Sequence, residues 1–137
     1  MIGNAEVNVQ KLINSNMNLL VPLVIIAVIA VVLFLKHKSL VSVDVAREYL
    51  RRGALVIDVR SMEEYRGGHL PGTINIPLDE IGDRLPQQVK DKSKVLLLHC
   101  LSGTRSGEAM SRLQSLGYSN VYNLGSYSRA RQIITGK

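Results

Sequence analysis

A chain of 137 residues has room for one compact domain and a short appendage. Its net charge of +6 is scattered along the sequence, and aromatic residues do not interleave with the basic ones, which excludes a nucleic-acid-binding surface. The single cysteine, Cys100, excludes an internal disulfide framework and fits a reducing compartment.

Taken in chain order, residues 1–18 read as a polar, Asn-rich tail. Leu19 to Leu35 carry no charge and are wholly apolar, with Pro22 near the start of the run. At ~1.5 Å per residue this stretch covers about 25 Å, close to a ~30 Å hydrocarbon core. A core helix is rarely apolar all round. A cleaved signal peptide would carry its positive charges before the run and small residues after it. Here Lys36 and Lys38 follow it, so the expectation is a retained transmembrane helix over 19–35 that places the chain in the lipid bilayer. The positive flank then puts the N-terminus outside and the rest in the cytoplasm, as in a single-pass protein of a bacterial inner membrane. Residues 36–39 serve as a basic linker to a domain over 40–137.

Within that domain Ser42 caps a helix whose apolar positions Val43, Ala46 and Leu50 fall at helical spacing, and Gly53 ends it. Leu55-Val56-Ile57 is a short continuous apolar run, as expected of a strand buried on both faces. Ser61-Met62-Glu63-Glu64 fits a capping box for a short helix that Gly67-Gly68 closes. Ile74 and Ile76 mark another short strand. Val95 to Leu98 is the most apolar run of the domain and reads as the central strand. A helix follows from about Thr104 to Leu116, with Ala109, Leu113 and Leu116 on one face, and Val121-Tyr122 forms a last strand. Such alternation predicts an α/β domain with a mostly parallel sheet.

The chemistry gathers where the central strand ends. His99 is followed by Cys100-Leu101-Ser102-Gly103-Thr104-Arg105 and then the helix. Open parallel sheets build their sites beyond the carboxyl ends of their strands. A loop turning into a helix start points N–H groups inward and adds the positive end of the helix dipole. Gly103 permits the turn, and Arg105 adds a permanent charge with a forked donor set. Together these depress a thiol and hold an anion at or beyond its sulfur. The bland alternative, a buried structural cysteine, does not account for Gly103, Thr104, Arg105 and Ser106 in this context.

Three blocks carry a resemblance: Val56-Ile57-Asp58-Val59-Arg60, then Glu64-Tyr65 with Gly68-His69-Leu70-Pro71-Gly72-Thr73-Ile74-Asn75-Ile76-Pro77, and Cys100 to Ser106. In this order they resemble the rhodanese family over roughly residues 42–124. The resemblance implies a doubly wound rhodanese-like domain in which Cys100 accepts a sulfane sulfur from thiosulfate or a persulfide and passes it to a thiol or cyanide. With one cysteine in the chain, the acceptor is external. Leu101, Ser102, Gly103 and Thr104 would line the bound anion, with Arg105 stabilising its charge. Asp58 and Arg60 are expected to brace loops by pairing. His69 should order its own loop, with no ligand cluster around it to suggest a metal. His99 should point to the face opposite Cys100. No cofactor is expected. After Leu124 the family commonly shows paired glycines, whereas here Gly125 is followed by Ser126-Tyr127, so a short or loosely packed final helix is anticipated. The competing functions are a non-catalytic docking module at the membrane and, on the likeness of cell-cycle phosphatases to rhodaneses, a phosphatase or arsenate reductase. Those phosphatases place five residues between Cys and Arg; the shorter spacing here favours sulfur.

Overall fold

The backbone of residues 2–38 and 40–136 is described by a computed structural model, with side chains in the first helix described at 8, 9, 11 and 17–33. Two units follow one another, 1–38 and 39–137.

The first unit is one helix, α1, Ile2–Lys38. It runs through the stretch read as a polar tail and through the basic residues expected to form a linker. Pro22 therefore lies in its interior rather than in a first turn; without an N–H it leaves the carbonyl of Asn18 unpaired within the helix. Among the described residues no helix is long and apolar enough to cross a membrane. The unbroken run of described apolar side chains, all exposed, extends from Leu19 to Leu33. That is about 22 Å at ~1.5 Å per residue, short of a ~30 Å core. The spanning helix expected over 19–35 is not met by these residues. The side chains of Phe34 and Leu35, the basic flank and Ser39 lie outside the described residues.

The second unit is a three-layer α/β/α domain. Its elements are α2 (Val43–Arg51), β1 (Leu55–Asp58), α3 (Met62–Gly67), β2 (Thr73–Asn75), α4 (Ile81–Gln88), β3 (Leu96–His99), α5 (Thr104–Ser115), β4 (Val121–Gly125) and α6 (Tyr127–Thr135). The four strands lie in the order β2-β1-β3-β4 and every pairing is parallel. Leu96, Leu97 and Leu98 in β3 have no exposed surface, because helices cover both faces of the sheet. Strand alternation sends Leu96 and Leu98 into a cluster with Ile57, Ile81 and Leu85 of α4, and Ala109 and Leu113 of α5. Leu97 joins Val56, Ala46 of α2, and Ala130 and Ile133 of α6 on the other face.

The caps read from sequence are made. Ser42 accepts from the Val45 N–H. Ser61 and Glu64 form both bonds of the capping box that starts α3. The last helix departs from expectation: α6 is capped by Ser126, and it buries Ala130 and Ile133 against the sheet. Ser126 supplies the cap where a second glycine was expected, so the helix packs. The helix α4 carries no strong signal in sequence, being short and interrupted by Pro86.

Candidate active site

Strand β3 delivers Cys100 to the carboxyl edge of the sheet, and the chain turns there into α5. Gly103, at the cap of α5, has φ +93°. A Cβ there would stand 3.1 Å from Cα and 3.2 Å from the carbonyl carbon of Gly125, both backbone atoms that cannot move aside cheaply. Glycine is needed for both the turn and the approach.

The loop is tied to the end of β4 along its length. The Cys100 N–H donates to the Gly125 carbonyl at 3.3 Å and the Tyr127 N–H to the Leu101 carbonyl at 3.1 Å. Asn123, almost fully buried, donates through Nδ2 to the Gly103 carbonyl at 3.1 Å, while its Oδ1 accepts from the Gly125 N–H at 2.8 Å and from the Ser106 hydroxyl at 2.7 Å.

Inside this frame the Gly103 N–H points at Cys100 Sγ from 3.0 Å, and the Ser106 hydroxyl lies 3.6 Å from the sulfur. Burial pushes the Cys100 thiol up, but the backbone N–H and hydroxyl of Ser106 and the N–H groups of Gly103 and Ser102 outweigh it, and the thiol falls below its ordinary value. Ser106 has one hydroxyl proton for three acceptors within reach: Asn123 Oδ1, the Gly103 carbonyl at 3.2 Å and the sulfur. Cys100 itself has no exposed surface, whereas Leu101, Ser102 and Thr104 beside it are exposed. The sulfur lies at the floor of the loop.

Arg105 is not free above the loop. Its two terminal nitrogens fork onto Glu64 of α3, at 2.6 and 2.9 Å. Glu64 chiefly, and the Cys100 sulfur after it, hold the guanidinium above its ordinary value. In return Arg105 holds the Glu64 carboxyl at about 2. The side chains of Ser102 and Thr104, expected to contact an anion, meet each other at 3.4 Å; the hydroxyl near the sulfur is that of Ser106.

Asp58 and Arg60 form a buried pair at 2.7 Å, and Arg60 donates onward to the Gly68 carbonyl at 2.8 Å, tying the β1 edge to the end of α3. His69 is exposed and stacks on Tyr65, with ring centroids 4.1 Å apart. His99 is buried edge-on to Tyr127, and its Nε2 is 3.8 Å from Asp58 Oδ2. Burial depresses its protonation, and neither ring nitrogen has a hydrogen-bond partner. It is not placed to serve Cys100 as a base.

Glu64 and Asn123 were not singled out from sequence as site residues, and Ser106 only as the last member of the Cys100 to Ser106 block. Glu64 carries a capping signal, but its link to Arg105 spans 41 positions and has no local signature.

Fold and loop together define a rhodanese-like domain: the model of that family matches residues 42–130, most of the chain, and the chain belongs to it. Thiosulfate sulfurtransferase PspE of Escherichia coli is 42% identical over 69 residues, covering 50% of this chain and 66% of that protein. A tRNA uridine(34) hydroxylase of Erwinia tasmaniensis is 35% identical over 75 residues, which is 52% of this chain but 21% of the relative. The chain thus spans less than two thirds of either. Among solved structures, a rhodanese with anions from E. coli superposes with a TM-score of 0.54 at 38% identity, over 56% of this chain and 91% of that one. Human single-domain sulfurtransferase TSTD1 gives 0.56 at 29% identity, over 67% and 94%.

Proposed function

We propose that this protein is a sulfurtransferase that carries a sulfane sulfur on Cys100. The observation that carries the reading is the Cys100 sulfur facing the Gly103 N–H at 3.0 Å in a loop whose donors depress the thiol. The thiolate attacks the outer sulfur of thiosulfate or of a persulfide. A new S–S bond forms, the donor's S–S bond breaks, and sulfite or the donor thiolate leaves with the electron pair. The loop's N–H groups then stabilise the persulfide anion. An external thiol or cyanide takes the sulfur in a second displacement that restores the thiolate. Because Cys100 is buried, the donor sulfur must enter the loop to react.

The names of the relatives support this reading: PspE is a thiosulfate sulfurtransferase, and TSTD1 is described as a single-domain sulfurtransferase. The phosphatase alternative would need a guanidinium free to fork onto phosphate, and Arg105 is forked onto Glu64.

Incubating the reduced protein with a sulfur donor and weighing it intact tests the proposal. The expected outcome is the gain of one sulfur atom, removed by cyanide and absent in Cys100→Ser. A Cys100→Ser variant that still transfers sulfur would reject it.

A membrane anchor for this activity rests on the uncharged run 19–35 and on the exposed apolar side chains from Leu19 to Leu33. Alkaline washing of membranes from cells that make the full chain tests it. Retention in the pellet is expected, and release into the supernatant removes the anchor.

A further inference from the structure

At the carboxyl edge of the sheet one row of side chains is polar although it is buried. The ladders set Asn75 beside Asp58, and Asp58 beside His99. Each of the latter two stands two positions beyond a residue, Val56 or Leu97, that packs with α6, so they share that face. Asp58 accepts from the Arg60 N–H, Nε and a terminal nitrogen, at 2.7 to 3.0 Å. His99 has no such support. It has no exposed surface, and neither ring nitrogen has a hydrogen-bond partner among the described residues. Beside it β4 brings only Gly125, and α6 brings Tyr127, edge-on with ring centroids 5.9 Å apart. The charged groups around it are thus Asp58 and Arg60, and the other titratable ones are Tyr127 and the adjoining Cys100.

A neutral imidazole is tolerated in such a place and an imidazolium is not. Burial holds the ring below the range of an ordinary imidazole. The opposing pull of Asp58 and of the Cys100 backbone does not offset this, and Arg60 adds to it. Asp58 lies 3.8 Å from Nε2, and its charge is already engaged by Arg60. A proton is therefore held on His99 only when the ring meets water. Laterally the ring is closed in by the ladders to β1 and β4. Above it stands the first turn of α6, a nine-residue helix that buries Ala130 and Ile133 and belongs to no ladder. A short packed helix opens at lower free energy than the centre of a sheet.

We propose that His99 is an acid-sensitive latch: proton uptake by its imidazole releases the first turn of α6 from the sheet, and with it the tie between that turn and the Cys100 loop. The tie consists of the Tyr127 N–H donated to the Leu101 carbonyl at 3.1 Å and the bridge between Ser102 and Ser126. The closed form keeps the ring neutral, while the open form binds a proton as pH falls below about 6.5. Acid thus favours opening, and a return to neutral pH restores closure. The latch is independent of whether Cys100 transfers sulfur.

Amide hydrogen exchange tests it, on the full, reduced chain at about pH 7.5 and about pH 5.5, either side of an ordinary imidazole. Rates are corrected for the pH dependence of the chemical exchange step, and α6 is compared with α5. At the lower pH α6 should open at least about tenfold more readily than α5. Its opening constant should also be about tenfold higher than at the upper pH, the effect of one proton bound on opening. His99→Phe keeps a buried ring that takes no proton, so its α6 should respond by less than about twofold. Other titrating groups act alike in both proteins and drop out of the difference. Should His99→Phe not fold, His99→Gln takes its place, and the wild-type comparison of α6 with α5 still decides. Equal opening of α6 and α5 at the lower pH would overturn the proposal, because water would then reach the ring only by global unfolding. An acid response that survives undiminished without His99 would overturn it as well.

Discussion

At Cys100 burial and hydrogen bonding act in opposite directions on one proton. Burial disfavours the thiolate, the loop's donors favour it, and the donors prevail. On the proposed reading the thiolate is the nucleophile, so loading should rise with pH and level off below the range of an ordinary thiol. Ser106→Ala removes one donor from the thiolate. Its pH–rate midpoint should move up, with loading near neutral pH slowed by about tenfold, the equivalent of a charge-assisted hydrogen bond of about 1.5 kcal/mol. A stopped-time series across pH checks this, and an unmoved midpoint would assign Ser106 to Asn123 alone. The order of strand, Cys100, Gly103, Arg105 and helix is visible in sequence because its parts are adjacent. The residues that hold it are not. Glu64 and Asn123 reach the loop from α3 and β4, and a carboxylate or amide carries no mark of a partner elsewhere in the chain. For the same reason Arg105 reads as a free cation until its partner is located.

Among the elements, those set by local chemistry were legible and those set by tertiary packing were not. The central strand and α5 follow from a continuous apolar run and then a helical period. The box at Ser61 and Glu64 follows from spacing alone. The helix α4 escaped because Pro86 argues against a helix, yet Ile81 and Leu85, one turn apart, are fully buried against the sheet. Packing outweighs propensity there. The turn between β3 and α5 gives a direct test of the close approach to β4. Gly103→Ala would force a side chain into the left-handed region and against the Gly125 backbone. We expect a loss of about 2–3 kcal/mol in urea unfolding, combining the backbone penalty with the clash. A loss below about 1 kcal/mol would mean that the two loops separate easily.

On the scale of the whole molecule, the second unit is fastened from its own first residues. Leu40 bridges to Asn123, the Val41 N–H donates to the Asn123 carbonyl at 3.0 Å, and Arg129 donates to the Val41 carbonyl. A chain beginning at Leu40 should therefore fold with the unfolding midpoint of the full domain. One beginning at Ser42 should lose about 1–2 kcal/mol, the value of the hydrogen bonds removed. Chemical denaturation of both tests this, and equal stabilities would show the bridge to be ornamental. The parallel alternation predicted from sequence is the observed architecture, whereas the helical state of residues 2–18 has no comparably periodic signature. The strand order also sets a timetable. All ladders are parallel, so none can zip up from a hairpin, and each waits for a crossover to close. During synthesis Cys100 emerges before β4, and β4 brings the Asn123 that secures the Gly103 carbonyl and orients Ser106. Until β4 docks, the Gly103 carbonyl and the Ser106 hydroxyl lack the Asn123 partner that holds them. The frame that depresses the Cys100 thiol is thus completed only at the end of folding, when the last strand docks.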